Sequence, residues 1–478
     1  MAKKSDLPSG WTQSPLEEIA IINPPKPNGV SDNLDVSFIP MKCVEELTGK
    51  IDLQNVKKYG DVKKGFTSFS DGDIIFAKIT PCMENGKIAI VQGLTNKIGF
   101  GSTEFHVMRM RDQSISNKFY FYYLIQEDFR NKAQKTMKGT AGQLRVPSDY
   151  LNDVIVPLPP LNEQKRIVAK IEELFSRLDS IITHLAKTKH QLRLFEESFL
   201  YSVFLGEQTA KWRDHNPDVE TGIQLFKKIT GSEPKLTLDH SLPKSWVFSS
   251  LSDLGTWNGG GTPSTTNSAY WEGGTINWFS PKDIHDIELA TSRDKITPMA
   301  IENSSAKLID KNSILFVVRS GILRRFLPIA LITQKSAVNQ DLRALTPSKL
   351  LIPKYVLYAA ISKRYDILKT CSKDGTTVES IDTTLLAQYQ IPLCSMDEQN
   401  IIVNIIEKTL SEIYKINEFI YTFTIVCSLL KQSILKQAFA GNLVPQDPND
   451  EPAEILLQKI KQQKQRTIIK TSKPRTTK

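Results

Sequence analysis

From Leu161 to about Gly206, apolar residues recur at alternating intervals of four and three: Ile167, Ile171, Leu174, Leu178, Ile181, Leu185, Leu192, Phe195 and Phe199, with Thr188 the one break. This is the a/d seam of a coiled-coil helix. The pattern returns 235 residues later at Ile402, Ile406, Ile413, Ile416, Ile420, Phe423, Cys427, Leu430 and Ile434, with Thr409 as the exception. Asn162 suits the N-cap of the first helix, and Gly206 and Gly441 suit the ends of the two. The expected helix core is therefore Ile167, Ile171, Leu174, Leu178, Ile181 and Leu185 with Ile402, Ile406, Ile413, Ile416 and Ile420. A helix of about 43 residues spans about 64 Å at 1.5 Å per residue.

Each helix follows a block of shorter elements. In the first block, strands are predicted near Leu16–Ile22, Val36–Pro40, Asp73–Ile79, Ile88–Val91, Glu104–Met110 and Asp153–Pro157, separated by Gly and Asp turns. Asn117–Gln126, continuing to Lys135, reads as helix with Phe121, Leu124, Ile125 and Phe129 inward, and Gly139–Gly142 as loop. The second block repeats the order. Leu242–Trp246 answers Leu7–Trp11, Ser313–Ser320 answers Asp73–Thr80, Gly375–Thr377 answers Gly139–Ala141, and Ile391–Leu393 answers Val156–Leu158.

The chain thus divides into blocks 1–160 and 242–395, helices 161–206 and 396–441, a connector 207–241 with a short helix at Ile223–Ile229, and a tail 442–478. In the tail a short helix Glu454–Gln465 carries Ile455, Leu456 and Ile460 as its stripe, before a frayed basic end. The fold class is α+β with an internal pseudo-two-fold repeat. The repeat shift is nearly constant through the helices and drifts in the blocks, which suits one frame presenting two different recognition surfaces.

Charge adds a partner class. The 478 residues carry a net charge of +9, with pI about 9.0, which favours an anionic partner such as nucleic acid. Five scattered cysteines without a CxxC pair fit free thiols in a reducing compartment. The start has no apolar signal-peptide run and no uninterrupted 18-residue apolar stretch occurs, so a cytoplasmic protein without a membrane role is expected.

Little in the sequence points to catalysis. No phosphate-binding Gly-x-x-x-x-Gly-Lys-Ser/Thr loop is present, and the six histidines are not at metal-ligand spacing; His184 and His190 should face solvent. Gly259-Gly260-Gly261-Thr262 lacks the surrounding pattern of a cofactor loop and reads as flexible. Asn23-Pro24-Pro25 resembles the catalytic loop of amino-methyltransferases, but Lys26 stands where an aromatic residue belongs and no methyl-donor loop accompanies it. Neither catalytic residues nor a metal site are expected.

Cations and small polar residues offer the better candidates. Lys and Arg neutralise phosphates, while Arg, Lys, Asn and Gln can read base edges. The proposed contacts are Lys57, Lys58, Lys78, Thr80, Asn85, Lys87, Gly139 and Gln143 in the first block, and Arg319, Ser320, Arg324, Arg325 and Gly375 in the second. Arg109, Lys282 and Arg343 belong to the same basic sets.

The order Leu-Pro-x-x-Trp, variable block, Pro157-Leu158-Pro159-Pro160-Leu161-Asn162-Glu163-Gln164-Lys165-Arg166-Ile167-Val168, long helix and Phe204–Arg213, then repeated through Glu398-Gln399, resembles the specificity subunit of type I restriction–modification systems. The second copy departs at Cys394-Ser395-Met396 and at Leu443-Val444-Pro445. The resemblance implies two α/β target-recognition domains, each binding half of a split, asymmetric site in double-stranded DNA, held apart by two antiparallel coiled-coil helices. It implies a non-catalytic subunit that scaffolds two modification (methyltransferase) subunits using S-adenosylmethionine, and restriction (motor-nuclease) subunits using ATP and Mg2+. No cofactor is implied for this chain. Two alternatives stay open: a self-contained methyltransferase or nuclease, and a coiled-coil adaptor without a DNA role.

Overall fold

The computed structural model describes residues 7–140, 142–234, 241–373 and 379–472, with backbone alone over 465–472. Two α-helices of 44 residues dominate it, Leu161–Phe204 and Met396–Phe439. The chain forms two compact units, Met1–Leu185 with Tyr421–Lys478, and Ala186–Ile420. Each unit therefore holds one globular block, the opening of one long helix and the end of the other.

In the first unit, four antiparallel strands form one sheet in the order Ala20–Ile22, Phe105–Met110, Ile74–Ala77, Ile88–Ile90. A second sheet runs Val56–Lys58, Asp35–Ile39, Ile98–Gly101, Thr67–Ser70, its central pair parallel. Thr12–Pro15 pairs with Ile155–Leu158 to bring the block's two ends together. Ile74–Ala77 is buried on both faces, so its continuous apolar run is the mark of a central strand. The strand expected over Leu16–Ile22 begins instead with a helical turn, Leu16–Ile19. The expected long helix breaks into Asn117–Leu124 and Glu127–Gln134, with Phe121, Leu124, Ile125 and Phe129 buried as foreseen.

The second unit repeats this plan. Gly255–Gly259, Leu342–Pro347, Ile314–Val317, Ile329–Ile332 and Glu288–Leu289 form a five-stranded sheet. Asp294–Ile296, Ile276–Phe279, Ser336–Val338 and Leu308–Ile309 form the other, again with a parallel central pair. Val247–Ser250 pairs with Gln390–Leu393.

The shared motifs have shared physical roles. Gln164 and Gln399 are fully buried in the first turns of the long helices. Each amide donates to a carbonyl just before its helix, Pro159 at 2.9 Å and Cys394 at 3.0 Å. Each amide oxygen accepts a backbone N–H from the segment leading into the block's buried helix, Ser116 at 2.9 Å and Ile352 at 3.0 Å. Tyr120 and Tyr355 donate to the Pro157 and Pro392 carbonyls at 2.9 and 2.8 Å. The glycines after the helices, Gly206 and Gly441, have φ of +79° and +74°. A Cβ there would meet Pro243 Cγ at 2.5 Å and Pro8 Cγ at 2.1 Å. The leucine-proline start of each block is thus the abutment for the end of a long helix, the other block's own.

The first long helix starts at Leu161, so Asn162 lies inside its first turn; Pro160 occupies the position where Ser395 caps the second helix by accepting from Glu398 N at 3.1 Å. Ile181 and Ile416 are not core: they are 39% and 43% exposed. Between Ile413 and Lys431 the less exposed positions are Asn417, Ile420, Thr424, Cys427 and Lys431, which keep Ile420 and Cys427 of the apolar series but replace Ile416, Phe423 and Leu430 by the residue after each. Lys431 is one of them, its ammonium 5.2 Å from the centre of the Phe175 ring. Leu174, Leu178 and Leu185 are half-buried, and Ile167, Ile171, Ile402, Ile406, Ile413 and Ile420 are buried.

In the connector, Gly222–Thr230 is the foreseen helix, and Ala210–His215 is a further one. The tail helix extends to Ser472 and buries Ala453, Leu456, Leu457 and Ile460, leaving Ile455 exposed at 41%. All five cysteines are free, with Cys371, Cys394 and Cys427 buried. His184 and His190 are exposed. The second long helix contains a stretch apolar enough, by length and composition, to cross a membrane. Its two ends nevertheless lie in globular cores, through Ile402 and Ile406 in one unit and Leu435 and Ala438 in the other.

Candidate nucleic-acid interface

In each unit, the end of the central strand, the turn entering its neighbour and the loop before the last short helix meet at one edge. In the first unit, Lys78 N donates to Glu104 O at 2.9 Å, Val146 N to Lys78 O at 2.9 Å, and Thr80 N to Leu144 O at 3.0 Å. Ile79 bridges to Arg145. The second unit answers with Val318 N to Asp341 O at 2.8 Å, Ile381 N to Val318 O at 2.8 Å, Ser320 N to Glu379 O at 3.2 Å, and a bridge between Arg319 and Ser380. Segments 59 to 68 residues apart in sequence, from Ser320–Glu379 to Lys78–Val146, are thereby clamped into the same small platform twice.

The platforms hold their loops with different ion pairs. Arg145 grips Glu104 with two N–H donors at 2.9 Å, and this hydrogen-bonded pairing holds the Glu104 carboxyl below the ordinary 4.5. In the second unit Arg324 reaches Glu379 at 3.3 Å. Beneath the first platform, buried His106 sits between Asn23 Nδ2 at 3.1 Å and Val146 O at 2.8 Å. Nδ1 accepts from the amide, so Nε2 carries the proton to the carbonyl. Burial lowers its pKa below 6.5. Asn23 also accepts from Val107 N at 3.0 Å and has φ of +51°. The Asn-Pro-Pro segment is thus a strut that seats His106.

The predicted contact residues divide accordingly. Lys78, Thr80, Gly139 and Gln143 come together at the first platform, Gly139 and Gln143 exposed. Asn85 is exposed nearby but donates to Glu46 at 2.9 Å, and Lys87 is turned inward, donating to Val44 O at 3.1 Å. Lys57 and Lys58 pair with Val36 and Asp35 at the start of that strand, away from the platform at its other end. Lys57 lies over Phe38 at 4.0 Å and Lys58 bonds Asp35 at 2.9 Å. Arg109 is a structural cation, making two 2.7 Å bonds to buried Asp73.

In the second unit, Arg319 and Arg325 are exposed and form no ion pair among the described residues, while Ser320 caps the short turn Gly321–Arg324. Gly375 lies outside the described residues. The Gly259–Gly261 loop is packed rather than flexible: a Cβ on Gly260 would fall 1.8 Å from Val338 O, and one on Gly261 2.2 Å from Ser305 Oγ. Sequence reading missed the turns Ser102–Glu104 and Asn339–Asp341, short polar tripeptides between strands whose matching position in the two blocks was the available signal. Among the described residues no cluster of three or more His, Cys, Asp or Glu could hold a metal.

A duplicated α+β block, each copy followed by a 44-residue helix, defines a class of protein. The family model for the type I restriction modification DNA specificity domain matches residues 8–189 and again 243–421. The chain belongs to this family. It is 42% identical over 180 residues to the EcoAI specificity subunit of Escherichia coli, covering 37% of this chain and 30% of that protein. It is 42% identical over 214 residues to the Escherichia coli EcoR124I/EcoR124II specificity subunit, covering 40% and 53%. The aligned segments thus span about a third to a half of these curated relatives. The HsdS subunit from Thermoanaerobacter tengcongensis shares the fold, with a TM-score of 0.56 at 21% identity, over 91% of this chain and 98% of that one. A chain from a structure describing assembly of a type I R-M system gives a TM-score of 0.69 at 22% identity, over 91% and 99%.

Proposed function

We propose that this chain is the DNA-reading subunit of a type I restriction–modification complex, each unit reading one half of a split site. The observation that carries the reading is the platform itself: the same backbone clamp occurs twice, with different side chains displayed on it. Identical frames with different displays are what a bipartite, asymmetric site needs. Phosphate contacts from the surrounding cations would position the duplex, and the platform residues would read base edges.

The chain supplies recognition, and chemistry belongs to partners. Modification subunits would bring S-adenosylmethionine, and restriction subunits ATP and Mg2+. Tyr421, Ile425 and Leu429, spaced by four on the second long helix and 65%, 44% and 62% exposed, offer a partner an apolar stripe. The 44-residue helices, each about 66 Å long at 1.5 Å per residue, would set the gap between half-sites.

The test is methylated-site mapping in cells carrying this chain with its modification subunits. One heptad deleted from both helices should change the gap and leave the half-site letters alone. Altered letters at an unchanged gap would contradict the spacer role. Methyl transfer by the purified chain alone would favour a self-contained enzyme instead.

A further inference from the structure

The turn Asn339–Asp341 joins two strands at the second platform, and its backbone is locked from both sides. Asp341 N donates to Asn339 Oδ1 at 3.0 Å, and Asn339 Nδ2 donates to Asp341 Oδ2 at 3.0 Å. Asn339 N is held by Phe279 O at 2.9 Å, and Asp341 O receives Val318 N at 2.8 Å. At the apex stands Gln340, an exposed residue with a restrained side chain: Thr262 Oγ1 donates to its Oε1 at 2.7 Å. Thr262 in turn follows the tightly packed glycine loop.

We propose that Gln340 is a specificity-determining residue that reads a base edge in the major groove of the half-site bound by the second unit. The inference rests on the proposed DNA-reading function. A rotamer-rich side chain held on a rigid turn has already lost the freedom that binding would remove. With Oε1 accepting from Thr262, the amide of this exposed residue keeps two N–H donors that make no hydrogen bond among the described residues. Donors select acceptors, so the matching edge is N7 or O6 of guanine, N7 of adenine or O4 of thymine. Exposed Lys282, three residues past Phe279, and exposed Arg319, whose N–H reaches Asp341 O at 3.3 Å, flank the turn with positive charge suited to phosphates.

The first unit supports the assignment independently. Its turn Ser102–Glu104 is fixed in the same manner, Glu104 N donating to Ser102 Oγ at 3.2 Å and Glu104 O receiving Lys78 N at 2.9 Å. Exposed Thr103 occupies the apex in place of Gln340. The lock is kept and the tip differs, as two readers of different half-sites require.

The experiment is selection from a randomised duplex library by the full-length chain in the complex it forms with its modification subunits. Gln340→Ala should lower discrimination at one base pair by about tenfold, leaving the other half-site, the gap and the salt dependence unchanged. Gln340→Glu, which can only accept, should move preference at that pair toward a donor edge, cytosine N4 or adenine N6. Thr262→Val should relax the same pair less than Gln340→Ala does. An unchanged motif for both Gln340 variants, or uniform weakening on all sequences, overturns the inference while leaving the function standing. A wild-type complex that selects no motif overturns the function and the inference together.

Discussion

Gln399 accepts the Ile352 N–H at 3.0 Å as Gln164 accepts the Ser116 N–H at 2.9 Å, so each long helix is keyed into a globular block by one buried amide. Gln399→Ala would leave both the Ile352 N–H and the Cys394 carbonyl without their partner. Two buried groups left unsatisfied should cost on the order of 2–4 kcal/mol. Denaturant unfolding of the second unit, read with amide exchange at Ile352, checks this; a change under about 0.5 kcal/mol would refute the keying role.

Arg109 looked like a phosphate contact by residue type and is instead the counter-ion of buried Asp73. Arg109→Ala should destabilise the first unit by about 2–3 kcal/mol, less than the 3–5 of a fully buried pair because the guanidinium is partly exposed. Asp73→Asn with Arg109→Met should recover part of that loss. If the double variant folds and binds DNA with the wild-type salt slope, Arg109 is structural; a slope lowered by about 0.9 would assign it to a phosphate after all.

His106 supplies a pH dependence. Burial lowers its folded pKa below the ordinary 6.5, so the unfolded chain binds the extra proton more readily. The neutral ring's contribution is complete above pH 6.5 and is lost as pH falls below it toward the folded pKa. Thermal unfolding of the first unit between pH 8 and pH 5 should show stability declining below 6.5. His106→Gln should flatten that decline; an equal decline in the variant would place the cause elsewhere.

Arg319 and Arg325, exposed and free of ion pairs among the described residues, should each lower the slope of log K against log salt by about 0.9 when changed to alanine. Lys87→Ala should leave the slope alone, since its ammonium is spent on the Val44 carbonyl at 3.1 Å. Fluorescence titrations from 50 to 200 mM salt decide between these outcomes.

The sequence exposed the repeat because the same buried bonds recur at the same spacing: Tyr120 with Pro157 and Tyr355 with Pro392, Gly206 against Pro243 and Gly441 against Pro8. It misled where residue type and environment part company. The apolar series favours Ile416 over Asn417 and Phe423 over Thr424, because periodicity counts apolar letters, whereas the polar residue is the less exposed of each pair. Asn162 was the better capping residue by type, but the repeat shift from Ser395 points to Pro160. Among the cations, Lys87 and Arg109 are indistinguishable in sequence from Arg319, since which cation is already paired depends on Val44 and Asp73, contacts between distant parts of the chain. Gln340 carries no signal in the sequence for the same reason: only the bond from Thr262, 78 residues away, makes it a held amide on an exposed turn.

The most direct test of one reader per unit is to exchange residues 1–155 for those of another specificity subunit and map methylated sites in the host genome. One reader per unit requires a motif with one half-site replaced, the other half-site intact and the gap unchanged. A motif with both half-sites altered would contradict it.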